Sequence, residues 1–214
     1  MKQFLKRILS LLFGLFLYSL GAVITIRANI GYAPWEVFHV GIAQKTGISI
    51  GTAVILAGVV IVGIVLVLGE KIGLGTICNM ALIGIFMDLI FMIDIIPKQK
   101  TLPSGLLVLF LGLFIISLGS YFYIKAGFGA GPRDSLMVVL NRKTRLPIGV
   151  CRSTIELSVT IIGWVLGGMV GLGTVISVIA IGFILQLTFA FLKFTPAAVK
   201  HETLRDTYTN LFRR

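Results

Sequence analysis

Charge is scarce in this chain: Asp, Glu, Lys and Arg together make up 13% of its 214 residues, against about a quarter in an ordinary soluble domain. Histidine occurs twice, as His39 and His201, and cysteine twice, as Cys78 and Cys151. Both thiols sit inside apolar stretches with no CxxC or Cys/His companion. Zinc and redox chemistry need clustered ligands, so the cysteines read as small buried hydrophobes and no metal site is expected. The glycine-rich stretches lack a GxGxxG or GKT context, which removes a nucleotide loop; no cofactor is expected. No nucleophile–base set is apparent either, and the chain does not read as an enzyme.

What is abundant is apolar: 57% of residues are hydrophobic and the mean hydropathy is +1.04. A soluble fold of this size has too much surface per volume to hide so much apolar area. The chain is therefore expected to be an all-α, polytopic helical membrane protein with the lipid bilayer as its principal partner. The net charge of +11 would suggest nucleic acid in a soluble protein. Here the basic residues collect at the ends of apolar runs and in the tails, where bilayer orientation is decided, so no nucleic acid is expected. The basic start followed by an apolar run resembles a secretory signal, but the run over 8–26 is too long for one and no small-residue cleavage site follows. It reads as a permanent span.

The chain repeats itself. Gly14-Leu-Phe-Leu-Tyr-Ser-Leu-Gly21 returns as Gly112-Leu-Phe-Ile-Ile-Ser-Leu-Gly119, an offset of 98 positions that then holds without a gap. Arg27 falls on Lys125, Gly31 on Gly129, Pro34 on Pro132, Glu36 on Asp134, and Gly73-Leu-Gly-Thr76 on Gly171-Leu-Gly-Thr174. About a third of positions are identical between 14–89 and 112–187. Shared hydrophobicity scatters Leu and Ile matches, but it does not place Gly, Pro, Thr and charge at one constant offset. The expected organisation is two tandem homologous halves, 1–94 (core 14–89) and 105–194 (core 112–187), joined by a linker over 95–104 and followed by a basic cytoplasmic tail over 195–214.

Each half offers three apolar runs of spanning length: 9–26, 48–68 and 73–93, then 105–124, 147–167 and 171–191. Between the first and second run of each half lies a glycine-rich break and a short segment starting at Pro34 or Pro132. About a dozen residues as a helix reach ~18 Å, too short to cross alone. The length favours six full spans plus two short re-entrant or interfacial helices, with the second half inverted; the alternative is eight spans, parallel 4+4. Counting basic residues nearly ties the two. Both put the N- and C-termini in the cytoplasm.

The repeated break reads (Arg/Lys)-Ala-x-x-Gly-x-x-Pro-x-(Glu/Asp). Proline at the first helical position with an acid two residues on marks a helix start, and glycines just before it let an anion approach the amides. Gly31, Pro34, Gly129 and Pro132 form the breaks; Arg27, Trp35, Lys125 and Arg133 are the candidate solute-binding residues around them. Broken helices duplicated in two halves point to a transporter site. The same features also serve capping and packing alone, since interfacial Arg and Lys snorkel and Trp35 suits an interface anchor.

Candidate ion-coupling groups are Glu36, Asp134, Asp88, Arg152 and Glu156. Glu36 and Asp134 equally suit helix-start residues offsetting the dipole. Arg152 and Glu156 lie four apart on one face of a span, where a charge is costly unless paired or facing water. Asp88 has no basic neighbour within a turn, and Asn79 and Ser177 form a matching polar pair on the same helices. Thr76 and Thr174 are expected as N-caps. The tail, with Lys200, Arg205, Arg213 and Arg214 among Leu204, Tyr208, Leu211 and Phe212, suits either a short amphipathic helix on the inner leaflet or a solvated end.

The loop around Ala33-Pro-Trp-Glu-Val37, with Thr-Gly-Ile-Ser-Ile-Gly51 and Gly-x-Gly-Thr downstream, resembles the YczE/YitT group of bacterial integral membrane proteins over most of 10–190. The second copy has Arg133 in place of the tryptophan. The resemblance implies a bacterial plasma-membrane protein and brings over no catalytic or transport residue. The residues suggest a small secondary transporter or permease for an unidentified small solute with an anionic part. The other class is a non-transporting accessory or scaffold that supports a partner membrane protein; a homo-oligomer is compatible with both.

Overall fold

The computed structural model describes residues 2–212, without the side chains of residues 197, 211 and 212; Arg213 and Arg214 of the expected basic tail lie outside the described residues. Among the described residues the chain is all-helical. It runs α1 (Lys2–Arg27), α2 (Pro34–Thr46), α3 (Ile50–Val67), α4 (Leu74–Ile93), α5 (Leu102–Ala126), α6 (Pro132–Thr144), α7 (Ile148–Val165), α8 (Leu172–Phe191), a single 3-10 turn (Pro196–Ala198) and α9 (Leu204–Phe212). Six of these, α1, α3, α4, α5, α7 and α8, are long and apolar enough to cross a membrane. The short α2 and α6 start at Pro34 and Pro132, and at 13 residues each they reach only ~20 Å. The first span is longer than its apolar core: α1 carries the basic Lys2–Arg7 stretch as a further helical turn.

Helices α1 and α5 form the axis of the molecule, held close by glycine. A Cβ on Gly14 would lie 2.5 Å from the Tyr123 amide nitrogen, and one on Gly21 would lie 2.7 Å from the Gly112 carbonyl. Glycines 14 and 21 of α1 thus meet glycines 119 and 112 of α5, so the two helices run antiparallel. Small residues on both partners allow this backbone approach where lipid supplies no hydrophobic drive between helices.

The ends confirm the direction. Arg7 donates to Glu202 Oε1 at 2.6 Å and to the Ala126 carbonyl at 2.8 Å, so the start of α1, the end of α5 and the tail share one face. On the opposite face Arg27 pairs with Asp94, and the Gln99 amide donates to the Arg27 carbonyl at 2.9 Å. The chain therefore crosses an odd number of times before its linker. The eight-span parallel alternative is overturned, because α2 does not cross and α5 descends where α1 ascends.

The Gly-Leu-Gly-Thr turns act between halves. Gly75 N donates to the Phe128 carbonyl and Gly173 N to the Ile30 carbonyl, each at 2.7 Å. The start of α4 thus holds the loop before α6, and the start of α8 holds the loop before α2. Gly129 (φ 114°) and Gly31 (φ 110°) take left-handed conformations that favour glycine, and a Cβ on either would lie under 3 Å from the backbone of Gly73 or Gly171. The expected caps need correcting: Gly73 and Gly171 occupy the cap positions. Thr76 and Thr174 sit three residues in, their hydroxyls accepting from the Gly73 and Gly171 amides at 3.2 and 3.1 Å.

The short helices also cross over, α2 packing along α7 and α6 along α3. One contact breaks the pattern. Helices α3 and α4 pack together through Gly51 and Gly84, whereas α7 and α8 splay apart. At the equivalent Gly149 and Gly182, an added Cβ would meet nothing within 4 Å among the described residues.

Candidate functional site

Because α2 and α6 start inside the bundle and run out to opposite faces, their first turns meet. Arg133, second residue of α6, lies 4.6 Å from the centre of the Trp35 ring, second residue of α2, and its Nη1 is 3.9 Å from Glu36 Oε1. Trp35 packs with Ile61, Val65 and Val139, well inside the bundle. Each half-helix thus points its positive dipole end at the centre.

There the six spans and two half-helices line a cavity of about 220 Å³. Its polar wall comes from α2, α6 and α7, with a tyrosine each from α1 and α5. Tyr123 donates to Asp134 Oδ2 at 3.0 Å, Arg133 reaches the Tyr18 hydroxyl at 3.5 Å, and Arg152 Nε donates to Glu156 Oε1 at 2.8 Å. His39 also lines the cavity, 2% exposed, with its Nδ1 unpartnered among the described residues. The opposite wall is apolar, with Ile181, Leu185 and Phe189 of α8. Burying a polar atom without a partner is costly, so His39 holds its Nδ1 inside the cavity wall at a cost to stability.

Of the sequence candidates, Trp35, Arg133, Asp134, Arg152 and Glu156 come together in the lining, with Glu36 beside Arg133, Pro132 in the lining and Pro34 starting α2 next to them. Gly31 and Gly129 lie in the docked loops behind. Three candidates lie elsewhere. Arg27 sits on the linker face against Asp94 and the Phe91 ring, and Lys125 donates to the Tyr121 hydroxyl at 2.8 Å on an exposed stretch. Asp88 spans two helices: it accepts from Gly51 N at 2.8 Å and from Ser49 Oγ at 2.5 Å, serving as a cap for α3. Asn79 lines the cavity, whereas the Ser177 hydroxyl is buried without a partner among the described residues.

Sequence reading missed His39, Tyr18 and Tyr123. The tyrosines fall on Ile116 and Thr25 in the other half, so the duplication gave no signal for them. A mark was present in each case, a polar group inside an apolar run, but only the antiparallel packing of α1 and α5 turns both tyrosines to one place.

A helical bundle with duplicated half-helices meeting over a central cavity defines a polytopic α-helical membrane protein. The chain belongs to a family of unknown function, DUF6198, whose model matches residues 5–189. It is similar to an uncharacterized membrane protein, YczE, of Bacillus subtilis strain 168, 35% identical over 82% of this chain and 81% of that one. An uncharacterized protein of Haemophilus influenzae is 34% identical over 85% and 82% of the two chains. A second Bacillus subtilis protein, the uncharacterized YyaS, is 27% identical over 88% and 92%. No solved structure matches.

Proposed function

We propose that the protein is a small secondary transporter or permease of the bacterial plasma membrane, carrying a small solute with an acidic group. The observation that carries this reading is the meeting of two half-helix N-termini over a mixed-charge cavity between antiparallel halves, the arrangement in which helix dipoles and a fixed cation hold an anion at mid-membrane. Arg133 is the solute's partner. Glu36, 5% exposed and 3.9 Å from that guanidinium, is the proton-carrying group, as the acid beside the solute's cation. Glu156 and Asp134 complete the set of coupling acids.

The antiparallel halves also separate the basic residues. Lys2, Lys6, Arg7, Lys71, Arg142, Lys143 and Lys200 gather on the face of the termini, against Arg27, Lys45, Lys98 and Lys100 opposite. That asymmetry supports cytoplasmic termini. Flux of a panel of small carboxylates and inorganic phosphate into proteoliposomes tests the reading. Uptake of at least one, lost in R133Q and freed from its pH dependence in E36Q, is expected; a protein inert to the whole panel speaks against transport.

The second reading, an accessory for a partner membrane protein, draws on how little of α7 and α8 the chain itself covers, 11% and 17% of their most apolar windows. One partner co-purifying in fixed stoichiometry would favour it.

A further inference from the structure

The cavity's openings narrow the kind of solute it takes. On the face of the termini the tail is bonded over the loop before α6: Glu202 N donates to the Gly127 carbonyl at 2.8 Å and Leu204 N to the Ile72 carbonyl at 3.1 Å, with Arg7 clamping Glu202. On the linker face the loop before α2 is bonded under α8, through Tyr32 N to the Met169 carbonyl at 3.0 Å and Gly173 N to the Ile30 carbonyl at 2.7 Å. On each face a loop beside the cavity is thus held by backbone hydrogen bonds.

The side is different. Helices α7 and α8 both line the cavity but do not pack together. In the first half the corresponding seam is shut, with Gly51 against the Gly84 carbonyl and Asp88 capping α3 across it. The second half has Pro147 and Gln186 where the first has Ser49 and Asp88, and its Gly149 and Gly182 face open space. The latch is absent on one side only.

The walls of this slot are of two kinds. Arg152 lies one turn, ~6 Å, from the start of α7, on the face of the termini where Arg142 pairs with Glu70; Arg133 lies deeper. Across from them stand Ile181, Leu185 and Phe189. A cation at headgroup depth above an apolar wall suits a molecule with an acidic head and an apolar chain, and a cavity of about 220 Å³ holds the head while the chain stays in the slot. We infer that the solute is an amphiphilic acid that enters from the bilayer between α7 and α8. This rests on reading the cavity as a transporter's binding site.

The chain has two tryptophans; Trp164 is 64% exposed and Trp35 lines the cavity. In a W164F protein in nanodiscs, Trp35 alone reports. The probes are stearic acid carrying a nitroxide near its carboxyl end and the methyl ester of that acid, which enters the bilayer equally but carries no charge. The expected result is saturable quenching by the acid beyond that by the ester, displaced by decanoate and not by acetate. Its apparent affinity falls about tenfold or more in R133Q or R152Q. It is lost in G149F and G182F, which fill the slot, and kept in G63F, which adds the same ring on α3 at a site equally free of neighbours.

Equal quenching by acid and ester would overturn the anion site and with it the proposed function. Displacement by acetate as readily as by decanoate would overturn only the amphiphile, leaving a carrier of water-borne anions. Acid-specific quenching that survives both G149F and G182F would overturn entry through the slot.

Discussion

At the scale of single residues, charge inside this bundle includes groups that build. Asp88 builds: both its oxygens are spent on the start of α3. D88A is expected to lower stability by about 1–2 kcal/mol, as loss of an N-cap does, seen as a lower unfolding temperature in detergent with binding at Arg133 retained. A drop no larger than that of a lipid-facing control would show the cap to be idle. The sequence made Asp88 conspicuous as an acid without a local partner. Its partner lies 37 residues upstream across a helix seam, a distance no periodicity reports. His39 is buried with its Nδ1 unpartnered among the described residues, and it escaped the sequence reading because a lone imidazole on a short segment looks the same whether it fills a core or borders a cavity.

At the scale of elements, the half-helices and their docked loops set what substitutions the chain tolerates. Gly129 takes φ 114° and stands against Gly73, so G129A meets both backbone strain and a clash and is expected to cost about 2–4 kcal/mol. Gly47 has φ 79° with nothing within 4 Å of an added Cβ; G47A meets strain alone, about 1–2 kcal/mol. Equal unfolding temperatures for the two would show that the loop dock yields.

The tail supplies a pH-dependent element. Partial desolvation holds the His201 imidazole below its usual range, with Asp134 opposing. A lowered pKa means that the detached tail binds the proton better, so docking weakens as pH falls below about 6.5. Faster proteolytic removal of the tail at pH 5 than at pH 7.5, abolished in H201Q, is the expected result. Asp206 does not share this window. The Thr203 amide and hydroxyl hold its carboxyl below the usual carboxylate range, so its contribution is lost only at more acid pH.

These elements were largely legible. The boundaries of α2 and α6, α3 and α7, and α4 and α8 each follow the 98-residue offset, and Pro34 and Pro132 mark both half-helices. Which element each loop docks on was not legible, because Gly-Leu-Gly-Thr states that a close approach occurs without naming the backbone that approaches.

At the scale of the whole molecule, topology can be read by labelling. Gln99 neighbours Arg27 and Asn29, and Gln44 lies beside Gly167, both on the face opposite the termini. With Cys78 and Cys151 replaced by serine, single cysteines at Gln99 and Gln44 should react with an impermeant thiol reagent in intact cells, and one at Lys143 only after lysis. Protection of Gln99 in intact cells would reverse the assigned orientation. Basic-residue counts could not separate the topologies because a short helix moves its flanking lysines from one side to the other. The glycine spacing of α1 and α5 settles it physically, since 14 can meet 119 while 21 meets 112 only if the helices oppose.

The exchange of contacts between halves has a consequence for how the protein is made. Helix α2 is synthesised early, yet Gly163 and Gly168, which receive it on the α7 side, and Gly171, which receives the loop before it, leave the ribosome more than a hundred residues later. Through that interval the first three spans sit in the bilayer with α2 held on one side alone, by Ile61 and Val65 of α3, its α7 side still uncovered. The nascent first half is therefore an unfinished client of the insertion machinery, held until the second half arrives to receive it.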